Sequence, residues 1–287
     1  MKWLGAAGWL LTWRDQTIVL DPFFHRPPQA RPTLPITRDE LPDIDHLLVT
    51  HAHWDHFADA PYLAVTNARN SYVPRAALRD LRRESRRRTP AERRRGPDCW
   101  HAVDGGERID LDGLEIEFHR IGKERFDVRF TRDALRKMRR GANLRDWYYG
   151  LKFLATHLYG ECFAISLALR ESGRRLCFFG NLPPIAAPVP RALEALDVAV
   201  MPYCPANGDW CEESIALARK LRPPTVLMHH FDQFLPPVTV GLDIANYQGR
   251  MLSESPIDRV IVPKFFRDSK LEMLLEQPDS SVRSATS

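Results

Sequence analysis

Apolar positions along this chain fall into short runs rich in β-branched residues, separated by stretches whose apolar residues recur with helical spacing. Residues 3–13, 17–21, 46–50, 71–73, 107–119, 162–169, 175–180, 198–204, 225–229 and 259–263 read as strands. Helical spacing covers 57–64, 75–88, 132–140, 190–196, 212–221 and 242–254. Arg14-Asp15-Gln16, Asp112-Gly113 and Ser172-Gly173 sit between apolar runs and predict hairpin turns. Hairpins dominate the first half, strand–loop–helix steps occur in both, and no repeat is visible. Alternating strands and helices of this kind predict an α/β fold.

Length and charge refine this picture. With 287 residues and 44% hydrophobic content, the chain can bury a sizeable core. It is expected to form one domain over residues 1–276, with a basic segment at 75–97, an insertion at 123–159 and a disordered polar tail at 277–287. Net charge is +4 overall, yet residues 75–95 hold ten arginines against three carboxylates. Basicity is therefore local. The run Arg86-Arg87-Arg88 with Arg93-Arg94-Arg95 fits a solvated helix face better than a nucleic-acid surface, because no aromatic residues interleave it. No apolar stretch has bilayer length. The apolar start, Met1 to Leu11, lacks a small-residue cleavage site and leads into a hairpin. Cys99, Cys162, Cys177, Cys204 and Cys211 are scattered, as reduced thiols are. A cytoplasmic protein with a small-molecule substrate and no membrane partner is the expectation.

The chemistry is concentrated in one place. His46-Leu47-Leu48-Val49 reads as a buried strand, and Thr50-His51-Ala52-His53-Trp54-Asp55-His56 follows at its carboxyl end, where open α/β sheets place their sites. His51 and His53 are two apart and project to one side of an extended loop. Asp55 and His56 can turn back toward the same point. Three imidazoles and a carboxylate packed without an ion would repel when charged and be hard to satisfy when neutral. The donor set suits zinc, manganese or iron better than calcium.

That heptapeptide resembles the T-H-x-H-x-D-H signature of the metallo-β-lactamase superfamily. The opening Trp3-Leu4-Gly5-Ala6-Ala7-Gly8-Trp9 with Ile18-Val19-Leu20-Asp21-Pro22, and the later His230-Phe231-Asp232-Gln233-Phe234, resemble the branch containing ascorbate-6-phosphate lactonase. The resemblance implies an αββα four-layer sandwich of two mixed sheets flanked by helices. It also implies a metal-activated water attacking an ester, lactone or phosphate-containing molecule. Carried over by position, His51, His53 and a later histidine would hold a first metal, and Asp55, His56 and His230 a second. The later histidine is His119, at the end of a strand, or His157. His229 is the alternative to His230. Zn2+ is the implied ion, one or two of them, with Mn2+ or Fe2+ as substitutes. Asp55 becomes the catalytic residue, orienting the water or taking its proton, if one ion is absent.

One departure matters. Phe178-Phe179-Gly180-Asn181 carries an amide where the resemblance implies a carboxylate bridging two metals. A neutral amide bridges dications poorly, so weaker second-site binding, or a redirected non-hydrolytic protein, follows as an alternative beside a nuclease. Asp21 either orients a ligand histidine or caps its turn. Trp147-Tyr148-Tyr149 either forms a lid or packs an inserted helix.

Overall fold

The computed structural model describes residues 1–123, 128–155, 160–183, 187–203, 210–240 and 242–269. Two sheets face each other. The first has the order β1 (Lys2–Gly5), β2 (Gly8–Trp13), β3 (Gln16–Leu20), β4 (Ile44–Leu48), β5 (Ala68–Pro74), β6 (Trp100–Val103). The second runs from β7 (Arg108–Leu111) through β8 (Leu114–Lys123), β9 (Glu161–Leu169), β10 (Arg175–Phe179), β11 (Val198–Pro202) and β12 (Thr225–His229) to β13 (Arg259–Ile261). Each sheet begins with antiparallel strands and ends with parallel ones.

Strand alternation assigns the layers. Leu48, Trp9, Phe118, Phe163 and Phe178 fill the space between the sheets. Their neighbours Leu47 and Val49 face outward instead, against Leu63 of α2 (Ala60–Thr66) and Leu81 of α3 (Leu78–Arg87). On the far side, Cys177 and Met201 meet Ile215 of α6 (Trp210–Leu221) and Tyr247 of α7 (Ile244–Glu254). The order is helix, sheet, sheet, helix, the four-layer arrangement expected from the sequence. β4, β11 and β12 are buried at every residue because both of their faces are covered. Each large side chain buried here contributes about 1.5–3 kcal/mol of transfer free energy.

The remaining helices gather at one end. The single turn α1 (Trp54–Phe57) follows the histidine loop, and α4 (Val128–Gly141) and α5 (Leu144–Ala155) form a hairpin beside it. Trp54 and Phe23 join Ala134, Met138 and Phe234 in a separate apolar cluster under that hairpin. No helix among the described residues is long and apolar enough to cross a membrane.

Several elements differ from the sequence reading. The run 3–13 is broken into β1 and β2 by a turn at Gly5 and Ala6, both with positive φ. The turn is hidden in the sequence because its residues are small and apolar. β6 is a four-residue strand that carries too little pattern to be read. α5 begins on a reciprocal cap, where Asn143 Oδ1 accepts from the Asp146 N–H and Asp146 Oδ2 accepts from the Asn143 N–H. That cap was a legible signal for a helix over the aromatic stretch. Residues 190–196 form only a 3-10 turn at Arg191–Leu193, consistent with the flanking Pro188 and Pro190. Cys204, His157 and the tail 277–287 lie outside the described residues.

Candidate metal centre

β4 delivers the chain to the site. Beyond it the chain bends at Thr50 and reaches His53, whose extended backbone caps α1 with its carbonyl accepting from the His56 and Phe57 N–H groups. His51 and His53 lie side by side, their ring centroids 4.4 Å apart. The turn of helix then brings His56 back to 3.9 Å from His51. His51, Asp55 and His56 are buried, and His53 is half-buried.

Asp21, fully buried at the end of β3, organises these groups. Its Oδ1 accepts from the Thr50 N–H at 2.8 Å. Its Oδ2 accepts from the Thr50 hydroxyl at 2.5 Å and lies 2.8 Å from His56 Nδ1. Thr50 Oγ1, having given its proton to Asp21, can only accept from His51 Nδ1, 3.0 Å away. This wiring assigns the proton of both imidazoles to Nδ1 and the lone pair to Nε2, the form that ligates a metal. Of the two readings of Asp21, orientation of a ligand histidine is the one its contacts match.

His230 arrives from the other sheet, just after β12. Its Nε2 lies 2.9 Å from Asp55 Oδ2, and its ring stacks on that of His56 at 5.2 Å. Two groupings have donor atoms close enough for one ion: Asp21, His51 and His56, and Asp55, His56 and His230. Asp55 Oδ1 is buried with no hydrogen-bond partner among the described residues, an orphaned acceptor of the kind a cation satisfies. Burial by itself raises the Asp55 carboxyl, but His56 and the hydrogen bond from His230 outweigh it and hold the group below the usual carboxylate range. Asp55 together with the Nε2 lone pairs of His51 and His56 makes an oxygen and nitrogen donor set that fits a divalent transition metal.

His230 holds an unusual backbone, with φ of +62°. What keeps it there is the β1–β2 turn. Its N–H donates to the Ala6 carbonyl at 2.9 Å, and the Ala6 N–H donates to Asp232 Oδ1 at 2.8 Å. Asp232 also accepts from Arg26 at 2.8 Å, with both side chains almost wholly buried. Neither Arg26 nor Asp232 was singled out from the sequence; the run His230-Phe231-Asp232 was a signal for the latter. His229 is spent elsewhere. Its Nδ1 accepts from the Trp9 indole at 3.3 Å and its Nε2 donates to the Phe179 carbonyl at 3.0 Å. Burial, reinforced by His230, holds it well below the usual histidine range and so neutral.

The structure does not bring His119 to this cluster. The sequence reading ended a strand there, but β8 continues to Lys123, with an irregularity between Arg120 and Gly122. His119 therefore sits within the strand, alternating with the inward Phe118. Its Nε2 lies 2.7 Å from Ser166 Oγ and its Nδ1 3.9 Å from Glu117. Asn181 lies one residue beyond a tight approach: a Cβ on Gly180 would sit 2.0 Å from Thr50 Oγ1. Its side-chain oxygen accepts from the Leu182 N–H at 2.8 Å. Tyr149 of α5 approaches Trp54 and His25, with centroids 6.2 and 5.9 Å away, while Tyr148 is exposed.

The arginines of the basic segment take a different place. β5 and β6 are parallel, so α3 between them runs back toward the end of the sheet remote from His51–His56. Arg94 and Arg95 donate backbone N–H groups to the Val65 carbonyl near the end of α2.

Comparison with known proteins extends the geometry. Residues 16–231 match the family model described as a β-lactamase superfamily domain. Over 75 residues the chain is 40% identical to a UPF0173 metal-dependent hydrolase of Polynucleobacter asymbioticus, a match spanning 26% of each chain. The chain thus spans about a quarter of the length of the curated relatives it matches. Among solved structures, Igni18, a metallo hydrolase from Ignicoccus hospitalis, is similar with a TM-score of 0.58 at 16% identity, covering 93% of this chain and 95% of that one. CmlA, a diiron β-hydroxylase from Streptomyces venezuelae, gives 0.53 at 14% identity over 90% of this chain and 52% of that one. At such identities the likeness is one of fold.

Proposed function

The chain belongs to the β-lactamase superfamily, and from that premise we propose that it is a metal-dependent hydrolase of a small ester, lactone or phosphate-containing molecule, anionic ones included. His51, His53, Asp55, His56 and His230 would hold one ion or two. Zinc suits the donor set, and manganese or iron can replace it. The observation that carries the reading is the Asp21–Thr50 wiring, which presents two buried histidines in their ligating tautomer beside Asp55. When bound, such an ion lowers the pKa of a water from 15.7 to roughly 7 and polarises the substrate oxygen.

The chain's own residues do the rest. Asp55, ionised at neutral pH, holds the water's proton at Oδ1 where it is not engaged as a ligand. Asp21 fixes the His56 and His51 rings, directly and through Thr50. Trp54, Phe23 and the α5 aromatics keep water from one side of the loop. Asn181 offers a neutral amide beside this loop, so the second position is weaker than the first. The nuclease alternative has less support, since the arginines of α3 lie toward the far end of the sheet.

The test is metal quantitation on protein purified without chelators, joined to a screen over ester, lactone and phosphodiester substrates. Protein that holds no transition metal sinks the proposal. His53→Ala should lose both metal and turnover. Asn181→Asp should raise the metal-to-protein ratio by restoring a bridging charge, and an unchanged ratio counts against the role given to Asn181.

A further inference from the structure

The α4–α5 hairpin carries a second feature on its solvent side. Leu144, Tyr148 and Leu151 stand at i, i+4 and i+7 of α5, on one face, and are 90, 59 and 55% exposed. Three of the five large exposed apolar side chains among the described residues are thus in one stripe. Around the turn that begins α5, Arg139, Arg140 and Arg145 are exposed, and their side chains make no ion pair or hydrogen bond among the described residues. Residues 128–155 hold eight lysines and arginines against Asp133 and Asp146, and Asp146 is buried in the helix cap. The inner side of the hairpin covers Trp54, between two residues of the histidine loop.

We propose that this hairpin docks on an anionic lipid bilayer surface, Leu144, Tyr148 and Leu151 entering the interface and Arg139, Arg140 and Arg145 pairing with headgroups. Charge and apolar area together choose the occupant. A polyanion such as nucleic acid would use the guanidiniums but leave Leu144 in water. An apolar interface with a second copy would bring like charges together around it. A bilayer of anionic lipids takes both at once. The basic segment of α3 is the internal contrast: Arg82, Arg83, Arg86 and Arg87 are exposed, but no large exposed apolar side chain accompanies them. The sequence holds no apolar stretch of bilayer length, and a surface stripe of three residues is visible only once the helix is placed. Docking does not depend on the hydrolase reading, and would turn the histidine loop toward the bilayer.

The experiment is vesicle flotation of the full chain, with phosphatidylcholine alone and with phosphatidylcholine mixed with phosphatidylserine. The protein should float with the mixed vesicles and remain behind with neutral ones. Leu144→Glu with Leu151→Glu should lower partitioning at least about tenfold. Arg139→Gln, Arg140→Gln and Arg145→Gln together should lower it about a hundredfold. All five positions are exposed, and metal content with circular dichroism verifies that the variants fold. The proposal is overturned if mixed vesicles do not retain the wild type, or if the leucine variant floats undiminished. It is equally overturned if Arg86→Gln with Arg87→Gln, rather than the α4–α5 set, abolishes flotation, or if the stripe proves to hold a dimer that Leu144→Glu dissolves. Loss of flotation with hydrolysis intact, or the reverse, separates this proposal from the catalytic one.

Discussion

The two sides of the histidine cluster are built by opposite means. The side from the first sheet is local: a buried strand ends, and six residues of loop and helical turn carry His51, His53, Asp55 and His56. The side from the second sheet is one histidine in a left-handed backbone, held by a turn 224 residues away in sequence, from Ala6 to His230. The first side is set by secondary structure and one carboxylate. The second is set by tertiary contacts alone, Ala6 and the Arg26–Asp232 pair. Side chains close in sequence need few supports to converge, whereas a lone side chain from a distant strand needs a buried scaffold of its own.

The sharpest way to break this contrast is at the residue both groupings share. His56→Ala should lower metal affinity more than about a hundredfold, beyond the cost of losing an outer partner, and abolish turnover; full metal content by atomic absorption would show that the local side is not the anchor. Next comes the scaffold of the second side. Arg26→Met leaves Asp232 buried without its cation and should cost about 3–5 kcal/mol, read as a lower thermal midpoint, with metal affinity at low temperature falling less than in the His56 variant. If the midpoint is unmoved, the pair does not hold the His230 turn. Asp21→Asn should weaken metal binding by about 10–100-fold while changing stability less than Arg26→Met, because an amide cannot accept from Thr50 and His56 at one oxygen and still keep the carboxylate's charge.

Legibility in the sequence follows the same division. The histidine loop was readable because its candidate ligands are contiguous and follow a strand whose apolar run is unmistakable. His230 was reached only through the resemblance, since nothing local distinguishes it from His229. What separates them is that Trp9 and Phe179, both distant in sequence, occupy the nitrogens of His229. Strand period fixes which residues share a face, but not which face meets the site. His119 illustrates the limit. Its strand runs four residues further than its apolar pattern suggested, because Arg120, Gly122 and Lys123 continue the pairing through the backbone, with Ile121 the one buried apolar side chain among them. The α/β character was legible, because the continuous apolar runs of β11 and β12 can only be covered on both faces; the four-layer order came from the resemblance.

The smallest expected effect tests that placement. His119→Gln should leave metal content unchanged and cost about 1 kcal/mol through the Ser166 hydrogen bond. Burial, partly opposed by Glu117, lowers the His119 pKa. The folded chain then binds this proton less readily than the unfolded one, so stability contributed here is present above the ordinary histidine range and is lost as pH falls from about 6.5. The substitution should flatten that acid-side slope in a denaturation series. Loss of metal instead would make His119 a ligand and redraw the contrast.

The contact between Ala6 and the turn at 230–232 also has a consequence in time. During synthesis the chain grows at about 5–20 residues per second, so the histidine loop is synthesised roughly 9 to 35 seconds before Asp232, which fixes its partner. For that interval the nascent protein exposes three imidazoles and a carboxylate with the opposite wall of the pocket missing. Under the proposed reading, an ion that reaches them first would meet half a coordination sphere, and selection among competing cations would fall to the moment when the last strands close.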